Sequence, residues 1–502
     1  MPPEFTPTRR RVLIGGAAAL GAAALAGVAM PTGRHGQFSL GVASGDPLPD
    51  GVMLWTRLAP DPLAPDGGMT GDGVPVEWQV ATDERFATIV RSGVTTALAA
   101  EAHSVHVAVS GLRPGAEYFY RFRAGGELSP VGRTRTAPAP GARVDRFSFA
   151  FASCQRYPDG FYNAYDHLAR EDVDLVVFLG DYIYEGGSQG RIGRGHRPDH
   201  QLATLADYRI RFAQYKSDPA LQAVHAAFPW IPVFDDHEVE NNWAGDRSES
   251  GIPVPEFRAR RAGAFQAYWE HQPLRARPAG PSLLIHRRLT FGDLVDFHVL
   301  DTRQYRSAQV PEAQRGNPGR TILGAQQKAW LFANLAASQA RWNVLAQQVF
   351  FSQLNPAPGW QTRNDDAWDD YLPEREEVRD HLATTRNPVV ITGDAHCGYV
   401  CDIKADFDNP LSRTVGAEFV GTSITSEGDG VDRTPGDIAQ LRVNPHIRFV
   451  NRKRGYVRCS VTPDSLVADY RAVDYVSRPG SPVGTLGRFV IVSDEPGARQ
   501  IF

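Results

Sequence analysis

The sequence has no excess of positive charge. Its 57 acidic residues slightly outnumber its 53 lysines and arginines, which gives a formal net charge of −4 over 502 residues. Because proteins that bind nucleic acid carry basic faces, this balance argues against a general nucleic-acid binder. The sequence also shows no internal repeat and no low-complexity domain. With 42% hydrophobic residues, a chain of this length can bury two cores, and its length suggests two or three domains.

The N-terminal segment has the features of an export signal. Three consecutive arginines, Arg9, Arg10 and Arg11, precede a run of alanine, glycine and leucine that reaches about Ala29. We interpret residues 1–29 as a twin-arginine signal peptide, which predicts export of the folded protein by the Tat translocase to an extracellular, periplasmic or wall-associated location. The apolar run is short and mild for a membrane span, and an uncleaved anchor is the alternative. No cysteine lies in this segment, which excludes lipid attachment there.

Residues 38–140 alternate short apolar and polar runs, and turn residues separate these runs. This pattern is typical of a β-sandwich. Residues 111–120 resemble the tyrosine corner of fibronectin type III domains, in which a tyrosine hydroxyl ties a loop to a sheet. We therefore predict an N-terminal all-β, fibronectin-III-like sandwich that packs against the rest of the protein, with carbohydrate or wall binding as a less favoured role.

From residue 147 onward the pattern changes to apolar strands alternating with helical stretches, which indicates βαβ units. We predict an α/β domain over residues 145–485. The predicted helices are residues 161–170, 208–228, 254–272 and 326–337, and a hairpin is predicted at 283–300.

Four apolar strands of this second domain end in side chains that can bind metals. These side chains are Cys154 after the first strand, Asp181 and Tyr184 after the second, Asp235, Asp236 and His237 after the third, and Asp394 and His396 after the fourth. The carboxyl ends of such strands are where open α/β sheets place their ligands. Singly, a buried cysteine, a capping aspartate or a hydrogen-bonded histidine would explain each case. Four strand ends of the same kind predict a multinuclear metal site.

The types of donor atom in this cluster indicate two kinds of metal. Thiolate, phenolate and imidazole groups favour a transition metal, whereas the aspartates favour a hard cation such as calcium, magnesium or manganese. Asp181 could bridge the two. Two such metals can promote in-line displacement at phosphorus. His237 could then protonate the leaving oxygen or bind a phosphate oxygen.

At these positions the sequence resembles the metallophosphoesterase superfamily. Its departures from the general pattern resemble the PhoD-type alkaline phosphatases and the related iron-dependent phospholipase D enzymes. Cys154 replaces the first Asp-x-His block, residues 236–238 (Asp-His-Glu) replace Asn-His-Glu, and residues 394–396 (Asp-Ala-His) replace His-x-His. Further matching segments are residues 235–243, 300–305 and 368–371, and the resemblance extends from about residue 38 to beyond residue 470.

The resemblance implies an α/β fold, a four-layer metallophosphoesterase-like sandwich of two sheets with helices outside. It also implies one ferric iron (Fe3+) and calcium (Ca2+) as cofactors. By position, the expected iron ligands are Cys154, Asp181, Tyr184 and His396, with Asp181 also reaching calcium. The expected calcium ligands are Asp236 and Asp394, the expected calcium- or phosphate-binding residue is Asn242, and the expected catalytic residue is His237.

These expectations predict a secreted metal-dependent phosphoesterase, an alkaline phosphatase or phosphodiesterase with a metal-activated oxygen as nucleophile. The expected substrates are small-molecule, lipid or polymer phosphate esters, and the protein is expected to be monomeric. Two alternatives are a phospholipase D that cleaves lipid head groups and a non-catalytic surface-binding protein on the same scaffold. Zinc or manganese in place of iron is disfavoured by Cys154 and Tyr184.

Cysteine is scarce for an exported protein, since the sequence has only Cys154, Cys397, Cys401 and Cys459. If Cys154 binds a metal, at most one disulfide can form among the other three, and one thiol stays free. Cys459 could pair with Cys401 or with Cys397, and the sequence does not choose between them.

Overall fold

The computed structural model describes residues 36–357, 359 and 364–502. The predicted signal peptide at residues 1–29 lies outside this part of the chain. None of the helices in the described part is both long enough and apolar enough to span a bilayer.

β-strands dominate the described residues. In chain order they are β1 Val42–Leu48, β2 Gly51–Arg57, β3 Gly73–Ala81, β4 Ile89–Leu98, β5 Ser104–Val109, β6 Glu117–Ala124, β7 Glu127–Leu128, β8 Gly132–Arg135, β9 Phe147–Ala152, β10 Leu175–Leu179, β11 Pro229–Val233, β12 Arg287–Phe291, β13 Val295–Val299, β14 Trp342–Gln347, β15 Pro388–Thr392, β16 Gly398–Lys404, β17 Thr414–Val420, β18 Ile447–Asn451, β19 Gly455–Val461, β20 Ser465–Val473, β21 Val483–Val492 and β22 Glu495–Gln500. The α-helices are α1 Asn163–Leu168, α2 Leu205–Lys216, α3 Pro219–Ala227, α4 Val254–His271, α5 Gly324–Ala337, α6 Leu372–Leu382 and α7 Pro435–Val443.

Two large sheets form the centre of the fold. The first has ten strands in the order β22-β21-β20-β19-β9-β10-β11-β1-β2-β5, and the second has seven in the order β12-β13-β14-β15-β17-β16-β18. Their facing sides share one core, in which the rings of Phe149 and Phe297 meet edge to face with centroids 5.1 Å apart. The predicted α/β sandwich of two sheets is confirmed.

Helices α5 and α6 cover the outer face of the seven-stranded sheet. Along β14, Val344 belongs to the core between the sheets, whereas its neighbour Leu345 belongs to a separate core with Leu331 of α5 and Val378 of α6. Successive side chains of a strand point to opposite faces, so a strand buried on both sides reads as a continuous apolar run. The same holds for β15, which delivers two of the predicted metal ligands.

The N-terminal region forms the predicted β-sandwich, and one of its two sheets is part of the ten-stranded sheet. Strand β1 pairs in parallel with β11, β2 pairs with β1, and β5 pairs with β2. The other sheet has five strands, β4-β3-β6-β7 with β8 beside β6. Its Tyr118 hydroxyl accepts the backbone N–H of Arg113 at 2.9 Å, which is the contact expected of a tyrosine corner.

The predicted helix over residues 208–228 is two helices, α2 and α3. The break lies at Asp218, whose carboxylate caps α3 by accepting the backbone N–H groups of Ala220 and Leu221. Pro219 occupies the first turn of α3, where a missing N–H costs nothing, and it cannot continue the hydrogen bonding of α2. The other predicted helices correspond to α1, α4 and α5, and the predicted hairpin is β12–β13.

All four cysteines are buried and free. Cys401 lies on β16 of the seven-stranded sheet and Cys459 on β19 of the ten-stranded sheet. The Cys397 thiol contacts the Asn451 carbonyl at 3.3 Å. The disulfide that the sequence left open does not form.

Candidate metal centre

The predicted metal-binding side chains meet at the carboxyl ends of the central strands. Strands β9, β10 and β11 are parallel neighbours, so the residues that follow them emerge at the same edge of the sheet. The end of β15 faces them from the seven-stranded sheet. Three groups place one ligand atom of each member within 4.8 Å of the others, namely Cys154 with Asp181 and His396, Asp181 with Asp236 and His237, and Asp235 with Asp236 and Asp394.

Tyr184 contacts two members of the first of these groups. Its hydroxyl lies 2.9 Å from Oδ2 of Asp181 and 3.0 Å from Nε2 of His396. The four side chains expected to bind iron therefore surround one point, and Asp181 connects them to the other carboxylates. Burial and the carboxylate of Asp181 raise the pKa of the Tyr184 hydroxyl well above its ordinary value, so the protein by itself keeps this phenol neutral.

The turns after these strands hold several site residues in the left-handed backbone region. The φ angle lies between +50° and +59° at Cys154, Asp181, Asn242, Asp394 and His396. This conformation costs a residue other than glycine about 1–2 kcal/mol. Such strain persists where the surrounding structure imposes it, and it is concentrated at functional sites. Four of these strained positions, Cys154, Asp181, Asp394 and His396, carry side chains of the cluster.

The carboxylates of the centre are buried without enough protein donors. Oδ1 of Asp181, Oδ2 of Asp235 and Oδ1 of Asp236 are buried and accept no hydrogen bond from the described residues. Burial, together with the nearby carboxylates, raises the pKa of Asp181 and Asp394 well above the usual range, although His237 opposes the shift at Asp181. Unpaired carboxylate oxygens in a buried site are costly, and hard cations are their usual partners. This donor set therefore fits a hard cation such as calcium.

The Arg303 guanidinium offsets part of this negative charge. It is fully buried, with Nε 2.6 Å from Oδ1 of Asp235 and Nη2 2.7 Å from Oδ2 of Asp366. Although burial opposes ionisation of Asp236, Arg303 and His237 hold the pKa of that carboxyl well below its usual value. Arg303 lies in one of the segments that matched the family. Asp366 lies in a loop, and no sequence pattern marked it.

His237 is a candidate proton donor beside the carboxylates. Its Nδ1 lies 2.7 Å from Oε2 of Glu185, and its ring lies against that of Tyr184 with centroids 4.1 Å apart. Although burial disfavours the charged ring, Asp236 and Glu185 raise the pKa of His237 well above its ordinary value. Glu185 was missed in the sequence, although its position directly after Tyr184 was a usable signal.

Asn242 lies next to the carboxylates, but its side chain turns away from them. Its backbone N–H donates to Oδ2 of Asp236 at 2.8 Å, and its side-chain Nδ2 donates to the exposed Glu249 at 3.0 Å. Its contribution in this structure is therefore to hold Asp236, and direct contact with substrate stays a prediction.

Glu238 joins two of the loops that carry ligands. Its fully buried carboxylate accepts the backbone N–H groups of Asp181 at 3.2 Å, Tyr182 at 2.5 Å and Asp235 at 2.9 Å. These bonds connect the turn after β10 to the turn after β11. The sequence motif contained this residue, but the tie became visible only in three dimensions.

The arrangement agrees with comparisons to known proteins. The family model "PhoD-like phosphatase" matches residues 149–470, and the model "PhoD-like phosphatase, N-terminal domain" matches residues 23–138. The chain belongs to the PhoD-like phosphatase family. The family predicted from the sequence motifs is thereby confirmed.

Two relatives establish the activity class of this family member. The chain is 50% identical over 483 residues to alkaline phosphatase D of Bacillus subtilis (strain 168), which covers 92% of this chain and 82% of that protein. A solved structure of PhoD superimposes with a TM-score of 0.90 at 49% identity, covering 95% of this chain and 94% of the other. The protein is thus a phosphoric ester hydrolase of the alkaline phosphatase D type, and the non-catalytic alternative is set aside.

A more distant structure shows the same fold. The purple acid phosphatase PPD1 from yellow lupin (Lupinus luteus) seeds is 13% identical and superimposes with a TM-score of 0.52, covering 90% of this chain and 73% of that protein. At this level of identity the likeness concerns the fold alone.

Proposed function

We propose that this phosphoesterase depends on a ferric–calcium centre. Iron would be held by Cys154, Tyr184, His396 and Asp181, and calcium by Asp181 together with the two remaining predicted ligands, Asp236 and Asp394. When bound, such cations polarise a phosphate ester and offset its negative charge.

The proposal rests on how the different types of donor atom are distributed across the site. Thiol, phenol and imidazole groups lie at one end, and carboxylates with unpartnered buried oxygens lie at the other. Asp181 belongs to both ends. Soft and borderline donors favour a transition metal, whereas carboxylate oxygens favour calcium, so one site with both ends suits two different cations.

The residues of the chain would supply the proton for the leaving group. Glu185 accepts from Nδ1 of His237, which fixes the ring and leaves Nε2 as its remaining nitrogen. A protonated His237 can donate from Nε2 to a departing alkoxide or hold a phosphate oxygen. We favour phosphomonoester and phosphodiester hydrolysis over phospholipase D activity, because the relative at 50% identity is named alkaline phosphatase D.

Elemental analysis of the purified protein, combined with its visible spectrum, tests this proposal. We expect about one iron per chain, calcium, and a charge-transfer band from a phenolate or thiolate on iron. Removing calcium with a chelator should abolish activity, and added calcium should restore it. Zinc or manganese without the band would contradict the ferric centre.

Two alanine variants test the assignment of ligands. Cys154→Ala and Asp181→Ala should abolish phosphatase activity and lower the iron content while the protein stays folded. Cys459→Ala is the matched control, because Cys459 is an equally buried thiol on β19 outside the site. Activity within a few-fold of the unaltered protein for either site variant would remove the assignment.

We also propose that the enzyme is exported through the Tat translocase and acts as a monomer on phosphate esters outside the cytoplasm. Replacing Arg9, Arg10 and Arg11 with lysine should leave the protein in the cytoplasm, as fractionation would show. Unchanged export would contradict the proposed route.

A further inference from the structure

The loop at residues 423–428, which follows β17, lies against three of the proposed iron ligands. The hydroxyl of Ser426 is 2.7 Å from the Tyr184 hydroxyl and donates to the carbonyl of Cys154 at 2.8 Å. The carboxylate of Glu427 lies 3.3 Å from Nδ1 of His396. No sequence pattern pointed to this loop.

Glu427 has an unusual backbone conformation for a side chain of its kind. Its φ angle is +72°, and the glycine that follows it has a φ angle of +73°. A glycine at position 427 would adopt this conformation without strain. The presence of glutamate there points to a function for its side chain. Its carboxylate is directed at His396 and lies 3.6 Å from the Arg454 guanidinium, although the side chain is 59% exposed.

The contacts of His396 indicate what this function is. Nε2 faces the site, 3.0 Å from the Tyr184 hydroxyl, and Nδ1 faces Glu427. Its carbonyl is held by Arg454 at 2.7 Å. A histidine that gives one ring N–H to a carboxylate has its other nitrogen free as a ligand, in a fixed orientation.

Ser426 acts on the neighbouring ligand in a similar way. A serine hydroxyl has one hydrogen, and here it points to the Cys154 carbonyl, so the neutral Tyr184 donates to Ser426 or to one of its other partners. The backbone N–H of Arg156 also approaches Ser426, at 3.3 Å. These contacts keep the phenol directed at His396 and Asp181.

We propose that Glu427 and Ser426 are positioning residues, which hold His396 and Tyr184 in the orientation needed to bind the metal. The inference rests on the proposed function, because it concerns the same metal centre. Under this inference, the affinity for iron depends on the loop at residues 423–428, although this loop supplies no ligand itself.

The test measures iron affinity in the full-length protein, by titrating the metal-free form with iron against a competing chelator and following the visible band. Glu427→Ala should bind iron about 10–100-fold more weakly. Glu427→Gln should stay within about three-fold of the unaltered protein, because its amide oxygen can still accept from Nδ1. Ser426→Ala should shift the position of the band. Asp432→Ala is the control, since it removes an exposed carboxylate from the same part of the chain.

A second variant distinguishes the loss of the carboxylate from a loss of folding. Glu427→Gly relieves the strained backbone and lacks the carboxylate, so it should unfold at no lower temperature than the unaltered protein and still bind iron about 10–100-fold more weakly. Affinity within two-fold of the unaltered protein for both Glu427→Ala and Glu427→Gly would overturn the inference. A lack of iron binding by the unaltered protein would instead remove the proposed function.

Discussion

Each site residue takes its chemical character from its neighbours. His237 is the clearest case, because a histidine at this burial would ordinarily stay neutral. Asp236 and Glu185 reverse that tendency and favour the imidazolium. A half-buried imidazolium held at Nδ1 has one remaining N–H, which is the arrangement that proton transfer to a leaving group needs.

At the residue scale we predict that His237→Asn impairs turnover according to the leaving group. Loss of a general acid typically costs 10²–10⁴-fold in rate. The loss should be largest for alkyl phosphate esters, whose leaving oxygen needs the proton, and much smaller for nitrophenyl esters. Steady-state kinetics with both substrates measures the difference.

His200→Asn is the control for this experiment, because His200 is an exposed histidine whose nearest partner is Asp207 at 3.5 Å. It should leave both rates unchanged. An equal loss for alkyl and nitrophenyl esters in His237→Asn would instead assign His237 to phosphate binding.

At the scale of elements, the site depends on turns that are tied to one another. Strands β9, β10 and β11 are aligned by their backbone pairing, but pairing ends where the turns begin. Glu238 continues the alignment beyond the strands by accepting backbone N–H groups from both turns. A carboxylate suits this task, because each of its oxygens can accept more than one bond.

We predict that Glu238→Ala lowers the free energy of unfolding by about 3 kcal/mol, because it leaves three buried backbone N–H groups without their acceptor. It should also lower metal content, since Asp181 and Asp235 lose their common support. Urea unfolding of the metal-free protein and elemental analysis measure the two effects.

A matched control exists on α6. Glu374 is also a buried carboxylate that accepts backbone N–H groups, those of Ile322 and Leu323, but it contacts no residue of the metal centre. Glu374→Ala should destabilise the protein to a similar degree without changing the metal content of the folded fraction. Full metal occupancy in Glu238→Ala would show that the tie serves stability alone.

At the scale of the whole molecule, the N-terminal strands complete the sheet that carries the site. Strand β1 pairs with β11, and the turn after β11 supplies Asp235, Asp236 and His237. Side-chain contacts reinforce the pairing, since Nε1 of Trp55 on β2 donates to the Glu270 carbonyl of α4 at 3.0 Å. The N-terminal region therefore supports the site directly, although the division into domains at 38–140 and 145–485 stays a prediction.

We predict that a chain limited to residues 145–502 does not fold cooperatively. Without β1, strand β11 becomes an edge with unpaired backbone groups, and an exposed apolar edge promotes aggregation. Chemical unfolding should show no sharp transition. A chain of residues 36–502 is the control and should unfold like the full-length protein. A soluble, cooperatively unfolding 145–502 chain would show that this part of the protein folds without the N-terminal strands.

Much of the site was predictable because its signals are local. An apolar strand followed by Cys154, or by Asp394 and His396, places metal-binding groups at a strand end whatever the strand's partners are. The contacts that the supporting residues make were not predictable. Ser426 acts on Tyr184 across 242 positions of sequence, and Arg303 acts on Asp235 across 68. The two helices at 208–228 were merged because the helical pattern continues on both sides of Pro219.

The local sequence specifies which segments become strands and which side chains follow each strand, because side-chain periodicity and turn chemistry involve near neighbours. It also contains the motifs from which the family was predicted. The partners of each strand and the contacts of each ligand depend on packing between distant segments. That is why the addition of β1, β2 and β5 to the ten-stranded sheet, the tie made by Glu238 and the support from Glu427 emerged only when the chain was folded. The pairing of distant strands becomes favourable only after the connecting loops have closed, and no local sequence pattern encodes which strands will pair.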